Sequence, residues 1–500
     1  MRILKKGTVY KNCAALCPQG EVQLLRDTGP RRQRGTTLAE TLVDRLASEI
    51  GLGARPPGSR LFSIRKAAAE YGVSKNTVIE AYDRLVASGH IVARAGSGFV
   101  VAASDEVDLK GRRRHVAEAV DIASLLSAQL EESFDVRVGD GRPPPSWTEE
   151  SEVKRHLGVF GTRMSLGSDA YGSALGFPPL RQQIAGLLAT QHIRASENEI
   201  LLTFGANHAL DLVIRAFLEP GDVVLVDEPG YYPLFAKLKL AQVGMVGIRR
   251  NADGPDLEDF AAKIRTHFAE PAFQSRPRMF FTQSIGHNPT GGSISLAVAH
   301  GLLKIAAANN VVIVEDDPFA DLAQAHRLAA LDQLNQVIAI GTFSKTLSAS
   351  LRSGYIAARK ERIDALAELK MLTTVNSSGY VERLLYRMLA EGHYKRHLKR
   401  LAQRMEAAAG RVAATLTALG WNLYSADGGG YYLYLRLPDG IDDIAVARAG
   451  ARESIFIAPG SVFCLDKANP LGAGIRINIA RADDPRFYDF LNRTLGSRYP

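Results

Sequence analysis

Val337-Ile338-Ala339-Ile340-Gly341-Thr342-Phe343-Ser344-Lys345-Thr346-Leu347, with Arg352 seven residues beyond the lysine, is the stretch that organises this chain. Its apolar start reads as a buried strand that delivers Thr342, Ser344 and Lys345 to a turn. Open α/β sheets place their ligands at such strand ends. A lysine held partly out of water loses its proton more easily and can attack an aldehyde, whereas hydroxyls and an arginine suit a phosphate. The stretch thus fits a phosphorylated aldehyde, although a solvated surface turn can be spelled with the same residues.

Working outward, four more apolar runs of about the same length precede it: Ile200–Thr203, Val223–Val226, Met279–Thr282 and Val311–Val314. Helical stretches lie between them, which is the pattern of a mostly parallel sheet buried on both faces. The turn after each run carries polar chemistry. Gly205-Ala206-Asn207 opens a helix whose free N–H groups and dipole suit a phosphate. Asp227-Glu228-Pro229-Gly230-Tyr231 offers an aromatic ring that can stack on a planar ligand. His287-Asn288-Pro289-Thr290-Gly291 places an amide in a proline turn, and Glu315-Asp316-Asp317 ends a strand in carboxylates. Buried carboxylates require a cationic partner, and a protonated pyridine nitrogen is one.

Length and charge divide the chain. Five hundred residues exceed one ordinary core. Residues 1–103 hold sixteen Lys or Arg against eight Asp or Glu, a balance of 16 − 8 = +8, and the remaining 397 residues balance at 45 − 45 = 0. A basic front on a neutral body points to a polyanionic partner for the front alone. An apolar content of 46% is that of a soluble globular protein, with no stretch long enough to span a membrane and no signal peptide expected. Cys13, Cys17 and Cys464 are odd in number, which fits free thiols in a reducing cytoplasm and no metal site.

Residues 1–35 read as a basic arm, either touching phosphates or merely solvated. Residues 36–103 read as a small helical module with a hairpin. Leu38, Leu42, Leu46 and Ile50 define one helix face, Ser63 caps a second helix, and Ser74 caps a third running to about Ser88. Val73 and Val78 can staple the entry to that third helix. Its exposed start, Lys75-Asn76-Thr77, has the position from which side chains reach bases and phosphates together. Ile91–Arg94 and Phe99–Val101, joined around Gly96-Ser97-Gly98, read as a wing. Residues 104–145, ending in Gly139-Asp140-Gly141 and Pro143-Pro144-Pro145, read as a linker. It contains one helical stretch around Ile122 to Leu130, which is alternatively the first helix of the next domain.

Gly58-Ser59-Arg60-Leu61, Val73 to Val78, Ala81-Tyr82 and Arg94 to Val100 resemble the winged helix-turn-helix of the GntR family. That resemblance implies double-stranded promoter DNA as a partner, touched by Arg65, Ser74, Lys75, Asn76, Thr77, Arg94 and Gly96. Residues 146–500 resemble the fold-type I aminotransferases that use pyridoxal 5′-phosphate. By that resemblance Lys345 is the Schiff-base lysine, while Ala206, Asn207, Thr342, Ser344 and Arg352 form the phosphate cup. Tyr231 is the stacking aromatic, Asn288 the O3′ partner, and Arg476 the clamp for a substrate α-carboxylate. Asp317 is the expected pyridine partner, with Asp316 the alternative, and Tyr171 is the tyrosine lent to the neighbouring subunit of a homodimer.

The combined layout is similar to the MocR subfamily of regulators. It implies an α/β protein: an N-terminal winged helix-turn-helix, a mostly parallel sheet with helices on both faces, and a smaller C-terminal α+β subdomain. The implied function is a cytoplasmic transcriptional regulator that senses an amino acid or amine through aldimine exchange at Lys345. The alternative is an active transaminase with an appended DNA-binding module. One position departs from the pattern, since relatives carry a tyrosine just after the acidic pair and this chain reads Pro318-Phe319-Ala320. Turnover is therefore expected to be weak or absent.

Overall fold

The computed structural model describes residues 37–51, 58–88, 90–94, 98–102, 134–148, 171–268, 278–323, 325–425 and 428–496, with single positions between them. They fall into two compact units, divided at Arg112 and Arg113. The arm at 1–35, the stretch around Ile122 to Leu130, and Gly96 lie outside the described residues.

In the first unit, α1 (Leu38–Gly51), α2 (Ile64–Glu70) and α3 (Lys75–Ala87) precede a two-stranded hairpin of β1 (Ile91–Arg94) and β2 (Gly98–Val101). Leu42 and Leu46 of α1 meet Val78, Tyr82 and Leu85 of α3 in one core, while Leu38 at the start of α1 remains exposed. Both serine caps form: Ser63 accepts from Lys66 N–H, and Ser74 accepts from Thr77 N–H at 3.1 Å. Gly72 makes the turn into α3 with φ of +64°, a left-handed conformation that favours glycine. Tyr82 ties the hairpin to the helices, its ring 4.9 Å from that of Phe99 and its hydroxyl donating to Phe62 O.

The second unit is built on an eight-stranded sheet of order β3-β10-β9-β8-β7-β4-β5-β6. The strands are β3 (Ile200–Thr203), β4 (Val223–Glu228), β5 (Gly244–Asn251), β6 (Gly254–Pro255), β7 (Arg278–Thr282), β8 (Val311–Asp316), β9 (Val337–Thr342) and β10 (Gly354–Ala357). All five sequence-predicted runs are strands of this sheet. β4, β5, β7, β8 and β9 run parallel, and β10 lies antiparallel between β3 and β9. Side chains of alternate strand residues enter two separate apolar cores, so both faces are covered. A smaller three-stranded antiparallel sheet, β11 (Tyr432–Arg436), β12 (Ala458–Pro459) and β13 (Gly474–Asn478), packs with the helices His393–Ala418 and Pro485–Leu495 into a third core.

The expected linker boundary at 145 requires correction. Residues 134–145 are built into the second unit: Val136 bridges Ile455, Gly139 N–H donates to Phe456 O at 2.8 Å, and Asn478 N–H donates to Val138 O at 2.7 Å. Gly139 serves close packing. A Cβ on Gly139 would lie 2.3 Å from the backbone nitrogen of Ala458.

Candidate functional site

The C-terminal ends of β4, β7, β8 and β9 and the turn after β3 converge on one cavity of about 590 Å³. It is lined by Ala206, Asn207, Tyr231, Asn288, Asp316, Thr342, Ser344, Lys345, Arg352 and Arg476, joined by Gly141, Arg142, Gln283 and Tyr432. Residues separated by more than 300 positions in sequence are therefore neighbours.

One end of the cavity is an anion seat. Gly205, with φ of +87°, leads from β3 into the helix Ala206–Phe217, whose first N–H groups face the cavity end without intrahelical partners. A Cβ at Gly205 would sit 3.5 Å from Arg352 Nη2 and 3.6 Å from Ser344 Oγ, so three elements close on one point. Arg352 is held there by donating to Phe204 O at 2.9 Å, and Thr342 Oγ1 donates to Ser344 Oγ at 3.1 Å.

The middle of the cavity holds two groups removed from water. Burial pushes the Lys345 ammonium down from its ordinary 10.5 to about 8, with Asp140 opposing the shift. Burial pushes Asp316 up to about 7, against the pull of Lys345 and Arg327. Asp316 Oδ1 has no hydrogen-bond partner. Asp317, the expected ring partner, does not line the cavity. Successive strand side chains point to opposite sides, and Asp317 turns inward to accept from Ser284 N–H at 2.7 Å, Ile285 N–H at 3.1 Å and Arg327 Nε at 3.2 Å. The sequence expectation is corrected to the alternative, Asp316.

At the other end, Arg476 of β13 is 2% exposed. It donates to Asn288 Oδ1 at 2.8 Å and to Gly139 O at 2.7 Å, with its guanidinium carbon 4.8 Å from the centre of the Tyr432 ring. Gln283 joins the two loops, donating to Asp316 O and accepting from Asn288 N–H. Phe319 is fully buried, its ring 5.3 Å from that of Tyr431 and 5.4 Å from that of Tyr432, so no hydroxyl follows the acidic pair. Tyr171 lies outside the cavity and is 87% exposed.

In the first unit, Arg65, Ser74, Lys75 and Asn76 are exposed and Thr77 is half-buried under the Ser74 cap. Arg94 is the last residue of β1.

Residues 136–493 match the model of the aminotransferase class I and II family, and residues 38–101 match that of the gntR family of bacterial regulatory proteins. The chain belongs to the class I and II aminotransferases. Its front module is a GntR-type helix-turn-helix, and several of its curated relatives are named as HTH-type transcriptional regulators. It is 29% identical over 439 residues to the uncharacterized HTH-type transcriptional regulator YdcR of Escherichia coli, covering 85% of this chain and 91% of that one. It is 28% identical over 450 residues to the probable rhizopine catabolism regulatory protein MocR of Rhizobium meliloti, covering 86% and 87%. Among solved structures, an archaeal alanine:glyoxylate aminotransferase superposes with a TM-score of 0.68 at 23% identity, covering 77% of this chain and 96% of that one. LysN, the α-aminoadipate aminotransferase of Thermus thermophilus, gives 0.66 at 23% identity, covering 79% and 98%. At these identities the structures show a shared fold.

Gly139, Gly141, Gln283 and Tyr432 escaped the sequence reading. Gly139-Asp140-Gly141 resembled a flexible linker, and Tyr432 is one of several tyrosines in an apolar run.

The lowered ammonium pKa predicts unusual reactivity. Reductive methylation of the ligand-free protein with formaldehyde should modify Lys345 with a rate that rises through pH about 8. Peptide mass spectrometry across a pH series checks this; a rise only near 10.5, as for solvated lysines, would contradict it.

Proposed function

We propose that this protein is a DNA-binding transcriptional regulator of the MocR type, whose second unit holds pyridoxal 5′-phosphate and responds to an amino acid or amine. The observation that carries the reading is the meeting of Lys345, Asp316, Arg352 and Arg476 in one cavity of a chain that also bears a GntR-type helix-turn-helix. The residues fit the cofactor. Asp316 lines the cavity with an oxygen that lacks a donor, as a protonated ring nitrogen would supply. Gly205 leaves an open cradle between Arg352, Ser344 and the helix N-terminus, suited to a phosphate.

Each residue then has a definite task. Ala206, Asn207, Thr342, Ser344 and Arg352 seat the phosphate, Tyr231 covers a ring face, and Asn288 offers its amide to the ring oxygen. Lys345, readily deprotonated, supplies the nucleophilic amine. Arg476 presents parallel N–H groups to a carboxylate, a match to its planar fork. When bound, the cofactor supplies an aldehyde carbon for amines and an electron-withdrawing ring. The regulator reading is preferred over a working transaminase because Phe319 follows the acidic pair where the aminotransferase pattern carries a tyrosine hydroxyl that assists proton transfer at Cα.

Sensing requires that the ligand bind one arrangement of the chain better than another. A homodimer fits the exposure of Tyr171, Met371, Leu372 and Tyr380, and a Cβ at Gly172 would lie 3.4 Å from Nδ2 of Asn376, in the connection between the helices that carry the other three. Among the described residues no helix is long and apolar enough to cross a membrane, and a promoter-binding protein works in the cytoplasm.

Borohydride treatment of the cofactor-loaded protein should fix a phosphopyridoxyl group on the peptide containing Lys345. Lys345→Ala should lose that adduct and its visible absorption band; retention of both would remove Lys345 from the role. On the DNA side, Lys75→Ala and Thr77→Ala should each weaken binding to the protein's own promoter region by about tenfold, from loss of a phosphate or base contact. Fluorescence anisotropy measures this, and unchanged affinity in both variants would reject α3 as the reading helix.

A further inference from the structure

Resting on that reading, we infer that Arg142 is a second anion-binding residue of the site, so that the amino compound it takes is an amino acid with a carboxylate in its side chain. The charges that line the cavity lead to this. Lys345, Arg352, Arg476 and Arg142 are its cations, and among the described lining residues Asp316 is the one acid. Four of these five groups already have a counterpart: the phosphate for Arg352, the aldehyde carbon for Lys345, the ring nitrogen for Asp316 and the α-carboxylate for Arg476. Arg142 is the cation left over, and a ligand with a single carboxylate brings no charge to match it.

The protein itself offsets that charge only in part. Arg142 Nε lies 3.4 Å from Asp140 Oδ1, but the same fully buried carboxylate also pairs with Arg137 Nη2 at 3.1 Å and Arg481 Nη2 at 3.6 Å. One anion shared among three guanidinium groups leaves this wall of the site cationic, and such an excess is felt strongly away from water. Its field extends to the centre of the cavity, where Arg476 and Arg142 both favour the neutral form of Lys345 while Asp140 opposes them.

The backbone fixes where Arg142 starts. Its N–H donates to Asp140 Oδ1 at 3.0 Å, and its carbonyl accepts from Asn478 Nδ2 at 2.9 Å and Arg481 Nε at 2.8 Å. Pro143 further restricts the residue before it to extended conformations. Asn478 stands two residues after Arg476 on β13, on the same face of the strand, so Arg142 is anchored beside the α-carboxylate clamp. The side chain keeps 29% exposure at the cavity wall. A guanidinium carries five N–H donors in a planar fork, so it can accept a ligand carboxylate while it stays on Asp140. A side-chain amide of the same shape offers one neutral oxygen and no charge, which makes acid against amide the discriminating comparison.

Titrating the cofactor-loaded full chain with glutamate against glutamine, and aspartate against asparagine, tests the inference through the shift of the cofactor's visible absorption band. At least one acid should bind about tenfold or more tightly than its amide, the size of a hydrogen-bonded pair to a charged group. Arg142→Gln should bring that ratio close to one, and Arg142→Lys should restore part of it. If Arg142→Gln fails to fold, the comparison in the unmodified protein still decides. An intact band that responds equally to acid and amide, or to neither acid, would overturn the inference and leave the cofactor reading standing. An unchanged ratio in Arg142→Gln would overturn the role of Arg142. Failure of the chain to take up pyridoxal 5′-phosphate, with no visible band, would overturn both readings.

Discussion

The structure depends on the cost of taking charge out of water. Lys345 and Asp316 sit at neighbouring strand ends inside a protein interior, and burial drives the amine toward neutrality and the acid toward protonation. Neither is stabilised by a tight ion pair with the other. Other buried charges near them are paired: Arg327 with Glu315 and Asp317, and Arg250 with Asp227. Lys345 Nζ donates to Gly141 O, while Asp316 Oδ1 has no hydrogen-bond partner, an arrangement suited to a ligand that brings a donor to the carboxylate.

The sheet places these groups without further design. Parallel strands bring their C-terminal ends to one edge, so each βα turn contributes one function: an anion seat after β3, an aromatic after β4, an amide after β7, a carboxylate after β8 and a lysine after β9. Arg476 arrives from the smaller sheet, which makes the cavity a meeting of two subdomains of the second unit. Residues 136–141 run along that meeting line, pairing with the smaller sheet through backbone and with the larger sheet through Lys345.

Most of this was legible in sequence because it is local. Apolar runs of strand length, serine caps at fixed offsets and a lysine after an apolar run are signals within a window of about ten residues. What sequence reading misassigned depends on distant partners. Asp316 and Asp317 are adjacent and chemically alike, and only the inward pull of Ser284, Ile285 and Arg327 decides which one leaves the cavity. Gly139-Asp140-Gly141 has the composition of a linker, and its role appears only when Ala458, Arg476 and Lys345 are brought against it from more than 200 residues away. The strands β5 and β10 were missed for a related reason: Gly247 and Arg249-Arg250 interrupt the apolar run of β5, β10 is a four-residue stretch opening on Gly354, and strands on both sides complete each.

The central claim is that occupancy of the Lys345 cavity governs the grip of the front module on DNA. Fluorescence anisotropy of the full chain on its own promoter fragment, at one fixed salt concentration, with pyridoxal 5′-phosphate alone and then with the phosphopyridoxyl-alanine adduct, addresses it directly. The account predicts affinities that differ by about tenfold or more between the two states, a coupling of the size common between linked sites. Identical affinities, with both ligands shown to be bound, would contradict it.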